Sequence, residues 1–378
     1  SGAEIVKQVF GSIEFCGPTD HIKLLQRRQT RVCFVPSSKR AHTGLFFSHD
    51  HNETIRSMLK VITVAHDEYE EYCRSLSHYL IVLRLPEQVK ITQEGENNIF
   101  SLLEDMGKLK KGAWRDYFQV GETICRAQHG IGYSRFCIQI ISSLLNWNVV
   151  AMMDDNTSHC LHAVDCDRPK QKQRQMIPKE KLKVGCAVKV LRDLWERVDQ
   201  LKQESSSSLL EHHLPEEGSE LQECPAEMRD QVLRCKPAAR SLRSLQPDMP
   251  LTALSGSLSS YGIIGLMRTT GSVKYEKGVK KVCGGVVKLL ASSWMHTQSC
   301  YCSVILNVKD TLARGIIYPP IRYQEDIRMN IACDRKGLIV ARWNEAAIVK
   351  LNFHECAPSR SNQSGKKRPA EDDGRESK

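Results

Sequence analysis

The chain has 378 residues, of which 41% are apolar, and a formal net charge of +10. This length fits one large domain or two ordinary ones, and the apolar fraction predicts a globular protein with a substantial core. No stretch approaches the roughly 18 to 20 consecutive apolar residues of a membrane span, and the opening residues SGAEIVKQVF lack the apolar core of a signal peptide. We therefore expect a soluble protein that is neither membrane-bound nor secreted.

The net charge and the cysteine content leave the partner open. A positive excess fits a polyanionic partner or a phosphorylated substrate, but it also fits a role in solubility alone. The 15 cysteines are scattered along the chain, and several lie in strand-like or helix-like runs, such as Cys33, Cys137 and Cys302. We expect most of them to be reduced thiols in the core.

The first third of the chain alternates between short apolar runs and amphipathic segments. The runs RVCFV, VITVA and YLIVLRLP predict strands, while ETIRSMLK and DEYEEYCRSL predict helices between them. This order predicts an α/β fold with a mostly parallel sheet flanked by helices. Ligands of such sheets gather beyond the carboxyl ends of the strands.

A second group of elements leads to an acidic motif. The segment FSLLEDM predicts a short helix, and the apolar stripe from Tyr133 to Leu145 predicts a long one, with Ser134, Arg135 and Gln139 on its opposite face. The strand VVAMM follows and runs directly into Asp154, Asp155 and Asn156. Such an acidic pair is common in turns and helix caps, but at a strand end it also suits a hard cation such as Mg²⁺ or Mn²⁺.

The remaining chain contains three more apolar runs and a second acidic pair. The runs YGIIGLMR, CYCSVILNV and GLIVARWN predict strands. Glu325 and Asp326 begin a helical segment that ends at Gly337. The two carboxylates either favour the start of that helix electrostatically or direct a general base into a cleft.

Three stretches together resemble one family. They are RVCFVPSSKRAHT, HGIGYSRFCIQIISSLLNWNVVAMMDDN and IIYPPIRYQEDIRMNIACDRKGLIVARWN. Their order and spacing are similar to those of the TET/JBP-associated glycosyltransferases of the GT-A fold, which include base J glucosyltransferase and the carboxyl-terminal domain of GREB-type oestrogen-receptor cofactors. The resemblance implies metal-assisted transfer of a sugar, with UDP-glucose as the expected donor, to a hydroxyl of a nuclear macromolecule such as hydroxymethylpyrimidine DNA or a protein.

The resemblance also implies a role for individual residues on the donor side. Pro36, Ser37, Lys39 and Arg40 would form the loop over the uracil and the diphosphate. Arg135 would contact the nucleotide from the start of the long helix, and Asp154 would lie toward the ribose.

The predicted metal ligands and the acceptor side follow in the same way. Asp155, Asn156 and His354 would bind Mn²⁺ or Mg²⁺, although the family motif usually ends in a carboxylate where this chain has Asn156. Asp326 would be the catalytic base, and Glu325 would orient it or bind the acceptor.

These patterns and the resemblance together predict five regions in the chain. Residues 1–29 form an extension, 30–156 the nucleotide-sugar half, 157–255 a partly disordered insertion containing one amphipathic helix, 256–356 the acceptor half, and 357–378 a disordered tail.

Several alternatives stay open at this stage. The chain could be an inactive GT-A-like interaction module of a chromatin or transcription cofactor. The lysine-rich segment GSVKYEKGVKKV could contact DNA, and Cys160, His162 and Cys166 resemble zinc ligands, though their spacing fits no common finger. The KKRP of the tail resembles a nuclear import signal, so we expect a nuclear protein, or otherwise a cytoplasmic one. The sequence leaves the oligomeric state open.

Overall fold

A computed structural model of the chain describes most of the regions from which the site was predicted. The described residues are 2–11, 13–25, 31–41, 59–76, 81–95, 98–163, 182–211, 260–268, 272–276, 279–283, 294–296, 300 and 302–350. The predicted helix ETIRSMLK lies mostly outside them, and Cys166, His354 and the tail lie entirely outside.

The centre of the fold is one large mixed sheet. Its eleven described strands follow the order β1-β4-β3-β2-β7-β14-β10-β15-β8-β9, and β13 also pairs with β15. The bounds of these strands are β1 Glu14–Cys16, β2 Arg31–Pro36, β3 Leu59–Ala65, β4 Ile81–Arg84, β7 Val149–Met153, β8 Thr157–Ala163, β9 Leu182–Gly185, β10 Tyr261–Arg268, β13 Trp294–His296, β14 Ser303–Asn307 and β15 Ile339–Lys350.

Two small antiparallel ribbons accompany this sheet. One consists of β5 Gln88–Lys90 and β6 Thr123–Cys125. The other consists of β11 Ser272–Glu276 and β12 Val279–Cys283, which form the lysine-rich segment. Lys274 and Lys281 are direct partners in its register, so the segment is a β-hairpin.

The strand directions confirm the predicted fold class. Strands β4, β3, β2 and β7 are parallel to one another, and β10 and β15 are parallel to each other. Strand β14 lies between these groups and is antiparallel to both β7 and β10. Strands β7, β10 and β15 therefore point the same way, and their carboxyl ends lie at one edge of the sheet.

Helices cover both faces of the sheet. Their bounds are α1 Gly2–Phe10, α2 Thr19–Leu25, α3 Tyr69–Leu76, α4 Ile99–Asp105, α5 Arg126–Leu144, α6 Ala187–Glu211, α7 Val308–Ala313 and α8 Glu325–Arg335. Val32 and Phe34 of β2 belong to a core with α1, α4, α5, α7 and α8, whereas Cys33 and Val35 belong to a second core with α3 and α6. Because alternate residues of a strand face opposite ways, the fold has three layers. No helix in the described part of the chain is both long and apolar enough to cross a membrane.

The segment predicted as an insertion from residue 157 to 255 contributes two strands and a helix in the part that the structure describes. Strand β8 begins directly after the acidic motif and pairs with β15, and β9 pairs with β8. The predicted amphipathic helix is α6, whose Leu191, Leu194 and Trp195 are buried in the second core. Strands β8 and β9 thus extend the main sheet, and α6 packs apolar residues into the second core. Residues 212–259 lie outside the description.

The polar face of the long helix, opposite its apolar stripe, is not exposed to solvent. Ser134, Arg135 and Gln139 of α5 are buried together with the apolar stripe. Gln139 donates to the Ile316 carbonyl and accepts from the Tyr318 amide, so the segment before α8 uses this polar face as a hydrogen-bonding surface. Amphipathic patterning cannot separate such a buried polar face from a solvated one.

Two glycines shape the amino-terminal part of α5. Gly130 has φ 53° and ψ −128°, which interrupts the helix and divides off a first turn that begins at Arg126. Gly132 lies against the chain before α8, where an added Cβ would overlap the Ile321 carbonyl oxygen and lie 2.7 Å from the Ile321 amide nitrogen. The close approach of α5 to this segment therefore requires glycine at position 132.

We expect Gly132→Ala to lower the free energy of unfolding by about 1–3 kcal/mol, because the methyl group must displace backbone atoms. Urea unfolding followed by circular dichroism measures this loss. Gln128→Ala, on an exposed position of the same helix, is the matched control and should change stability by less than about 0.5 kcal/mol. Equal stability of the two variants would contradict the close approach.

Candidate active site

A cavity of about 380 Å³ opens at the edge of the sheet where β2, β7 and β15 end. Both acidic motifs contribute to its wall, since Asp154, Asp155, Glu325 and Asp326 all line it. The other lining residues are Pro36, Ser37, Ser38, Arg40, Arg126, Gly130, Ile131, Ser134, Arg135, Asn156, Cys302 and Lys350. The cavity therefore lies beyond the carboxyl ends of strands, as ligand sites of α/β sheets do.

Asp154 is held between two cations. Its Oδ1 accepts a 2.8 Å hydrogen bond from Arg135, and its Oδ2 accepts one from the ammonium of Lys350. Lys350 reaches it because Thr157, the first residue of β8, pairs in register with Lys350 of β15. Burial opposes ionisation of Asp154, but the two cations outweigh burial and lower its pKa.

Asp155 faces the loop that follows β2. Its Oδ1 accepts a hydrogen bond from Arg40, and its Oδ2 accepts one from the Ser37 hydroxyl at 3.0 Å. Burial raises the pKa of Asp155 to about 6, and Arg40 and Ser37 offset only part of this rise. The Ser37 hydroxyl also lies 2.7 Å from the Tyr72 hydroxyl, which accepts from the Arg40 amide and so fixes the loop.

Arg135 connects the two acidic motifs. Besides Asp154, it donates a 2.7 Å hydrogen bond to Glu325, and its guanidinium lies over the ring of Tyr318. The Arg135 and Glu325 side chains are each only 7% exposed. Burial opposes the charge of Arg135, yet Tyr318, Asp154 and Glu325 raise its pKa above the ordinary value. Arg135 is thus held by protein partners and also lines the cavity, and its predicted contact with the nucleotide stays a prediction.

Glu325 and Asp326 differ in environment although they are adjacent. Glu325 is buried against Arg135, and burial raises its pKa despite that partner. Asp326 lines the cavity at the start of α8, and the described part of the chain shows no ion pair between it and a cationic side chain. Helix α8 confirms the predicted helix. Its buried face includes Met329 and Cys333, whereas Ile327 is exposed.

Not every predicted site residue reaches the cavity. Pro36, Ser37, Arg40 and Asn156 line it, whereas Lys39 is exposed and does not. His354 lies outside the described residues, so its predicted role stays a prediction.

Sequence reasoning missed several residues of the cavity wall. Those with polar or charged side chains include Ser38, Arg126, Ser134 and Lys350. Only Lys350 has a sequence signal, which is a cation at the end of the apolar run AAIV.

Ser134 connects the cavity to a histidine behind it. Its hydroxyl lies 3.0 Å from Nε2 of His66, which directly follows β3. Burial, together with the nearby charge of Arg126, lowers the pKa of His66 to about 3. The neighbouring Asp67 accepts from Ser38 and pairs with Arg126 at 3.5 Å. His66 is therefore a neutral residue that supports the wall.

The donor groups in the cavity do not fit the predicted divalent cation. All four carboxylate oxygens of Asp154 and Asp155 accept hydrogen bonds, three of them from cationic side chains. Mg²⁺ and Mn²⁺ require several oxygen ligands in direct coordination. No cluster of three or more metal-ligating side chains occurs among the described residues. A metal ion would have to displace Arg40 or Lys350 and remain close to the displaced charge.

We expect Arg135→Met to lower the free energy of unfolding by about 3–5 kcal/mol, because it leaves Asp154 and Glu325 buried without their shared partner. Urea unfolding at neutral pH measures the loss. Adding Glu325→Gln to this variant should restore part of it, since one unpaired charge is then removed. Arg328→Met, at an exposed position of α8, is the control. A loss below about 1 kcal/mol for Arg135→Met would contradict a buried bridge.

We expect His66 to destabilise the fold as the pH falls below its ordinary pKa of 6.5. The unfolded chain then binds a proton that the folded chain excludes until about pH 3. Between pH 7.5 and 5.5, this difference lowers the free energy of unfolding by about 1.4 kcal/mol. His66→Gln, which keeps a polar group near Ser134, should lose that much less over the same range in urea unfolding. Identical pH dependence in the two proteins would contradict a buried neutral histidine.

One comparison with known proteins found a similarity to a family. Residues 32–208 match the family model described as TET-Associated Glycosyltransferase. The matched segment includes the loop after β2, Arg135 and the first acidic motif, and it ends before the second. No curated protein and no solved structure matches the chain. Residues 32–208, a little under half of the chain, are therefore similar to the TET-associated glycosyltransferase family.

Proposed function

We propose that this protein transfers a sugar from a UDP-sugar to a hydroxyl group of a macromolecule. One observation carries the proposal, namely that two acidic motifs about 170 positions apart in the sequence line one cavity. The first motif follows β7, the last of the four parallel strands in chain order, and the second motif lies at the start of α8. A bisubstrate site needs groups for the donor and for the acceptor within one cavity, because the two reactants must be held together.

The loop after β2 suits the nucleotide end of the donor. It lies at the carboxyl edge of parallel strands, where nucleotides bind in α/β folds. Arg40 and Lys350 give this end of the cavity two cationic side chains that are partly exposed, at 21% and 17%. Guanidinium and ammonium groups are the usual partners of phosphate oxygens. The cavity volume is also within the range of small-molecule sites.

Asp326 is the best candidate for the catalytic base. Among the four cavity carboxylates it is the one for which the described residues provide no ion pair. A carboxylate that is already neutralised by a cation is a weaker proton acceptor, so Asp154, Asp155 and Glu325 suit this role less. Tyr323 and Ile327, both exposed, lie near Asp326 in sequence and provide apolar surface for an acceptor.

In the proposed reaction, Asp326 accepts the proton of the acceptor hydroxyl while the oxygen attacks the anomeric carbon of the sugar. The bond between that carbon and the diphosphate oxygen breaks, and UDP leaves with the electron pair. Arg40 and Lys350 stabilise the charge that develops on the departing diphosphate. We propose UDP-glucose as the donor and a nuclear macromolecule, either DNA with hydroxymethylpyrimidines or a protein, as the acceptor.

The expected effect of Asp326→Asn is a loss of transfer of at least about 100-fold, because the amide cannot accept the proton. Release of UDP from UDP-glucose, with water or an added acceptor, measures turnover, and mass spectrometry of DNA and protein acceptors detects the product. Calorimetry with UDP should show that the variant still binds the nucleotide.

Asp116→Asn, an exposed carboxylate away from the cavity, serves as the control. Full turnover by Asp326→Asn would contradict its role as base. The same measurement tests the rival function, an inactive interaction module, since a protein that binds no UDP and releases none would be such a module.

A further inference from the structure

The first acidic motif interacts with protein cations in a charge-balanced cluster. Asp154, Asp155 and Glu325 are the anions, and Arg135, Arg40 and Lys350 are the cations that contact them. Every cation in this set lines the cavity. The positive charge in the part of the cavity proposed for the donor is therefore provided by these three side chains.

We infer that Arg40 and Lys350 bind the diphosphate of the nucleotide directly and replace a divalent cation in this site. The inference rests on the proposed function and makes it more specific, because it assigns the nucleoside diphosphate to two named side chains. It also departs from the metal-assisted mechanism that the family resemblance implies.

The exposure of the three cations separates their roles. The Arg135 side chain is 7% exposed and lies between two carboxylates and a tyrosine ring, so it is a positioning residue. The Arg40 and Lys350 side chains are two to three times more exposed and come from different strand ends, one after β2 and one at the end of β15. Two such side chains match the two phosphoryl groups of a diphosphate.

The carboxylates do not have to release these cations for a phosphate to bind. An ammonium has three N–H donors and a guanidinium has five, so each can keep its carboxylate while it donates to a phosphate oxygen. Asp154 and Asp155 then act by fixing the positions of the two cations before the donor arrives. Pre-organised charges of this kind stabilise a leaving group without reorganisation during the reaction.

The experiment is calorimetric titration of the full chain with UDP, once in EDTA and once in millimolar MnCl₂. The expected result is the same affinity in both buffers, together with no saturable binding of Mn²⁺ alone. Lys350→Met should weaken UDP binding at least about tenfold, because an ion-assisted hydrogen bond is lost. Lys350→Arg keeps the charge and should recover most of the affinity.

Two controls separate binding from folding. Lys111→Met removes an exposed lysine and should bind UDP normally, and circular dichroism verifies that each variant is folded. Arg40→Gln provides an independent second variant that should also weaken binding in EDTA.

The outcomes distinguish the inference from the proposed function. Binding of UDP that requires Mn²⁺ and disappears in EDTA would overturn the inference and leave the UDP-sugar proposal intact. Unchanged UDP affinity in folded Lys350→Met and Arg40→Gln would also overturn the inference alone. An absence of UDP binding in both buffers would overturn the inference and the proposed donor together.

Discussion

The buried guanidinium of Arg135 determines how the two halves of the cavity meet. Asp154, which follows β7, is 20% exposed, and Glu325 at the start of α8 is 7% exposed. Each needs a counter-charge, because burial of an unpaired ion costs several kcal/mol. A guanidinium is planar and has several donors in fixed directions, so it can contact two carboxylates at once. An ammonium on a flexible side chain would hold the two carboxylates less rigidly. One side chain of α5 therefore fixes the separation of two motifs that are distant in the sequence.

The mixed directions of the sheet explain why the cations converge on this edge. Strand β8 leaves the Asp154–Asn156 turn and runs antiparallel to β15, so the end of β15 lies beside the turn, where Lys350 meets Asp154. In a purely parallel sheet, the chain following the turn would leave through a helix, and this pairing would be absent. The antiparallel pairing of β8 with β15 therefore brings Lys350 to the acidic motif.

Local patterns in the sequence predicted the elements well but not the partners of the polar side chains. The strands β2 and β7 and the start of α8 follow from apolar runs and turn signals of neighbouring residues. The partner of Arg135 could not be predicted in this way, because Glu325 is brought to it by packing of α8 and not by spacing along the chain. Lys350 was missed for the same reason, since its position depends on the register between β15 and β8. The charged composition beyond residue 156 did not reveal β8 and α6, although both bury apolar residues in the second core.

Two adjacent carboxylates at the end of a buried strand would repel each other unless their charge were compensated. In this fold, each carboxylate is compensated by side chains from different elements. Arg135 and Lys350 form ion pairs with Asp154, and Arg40 forms one with Asp155. Asp155 still has a raised pKa, so the compensation is less complete there than at Asp154, whose pKa is lowered. The asymmetry has a geometric cause, because Asp154 contacts two cations and Asp155 contacts one cation and a neutral hydroxyl. An acidic pair at the end of a buried strand is therefore not by itself evidence of a metal site, because lysine and arginine side chains can compensate its charge, as they do here.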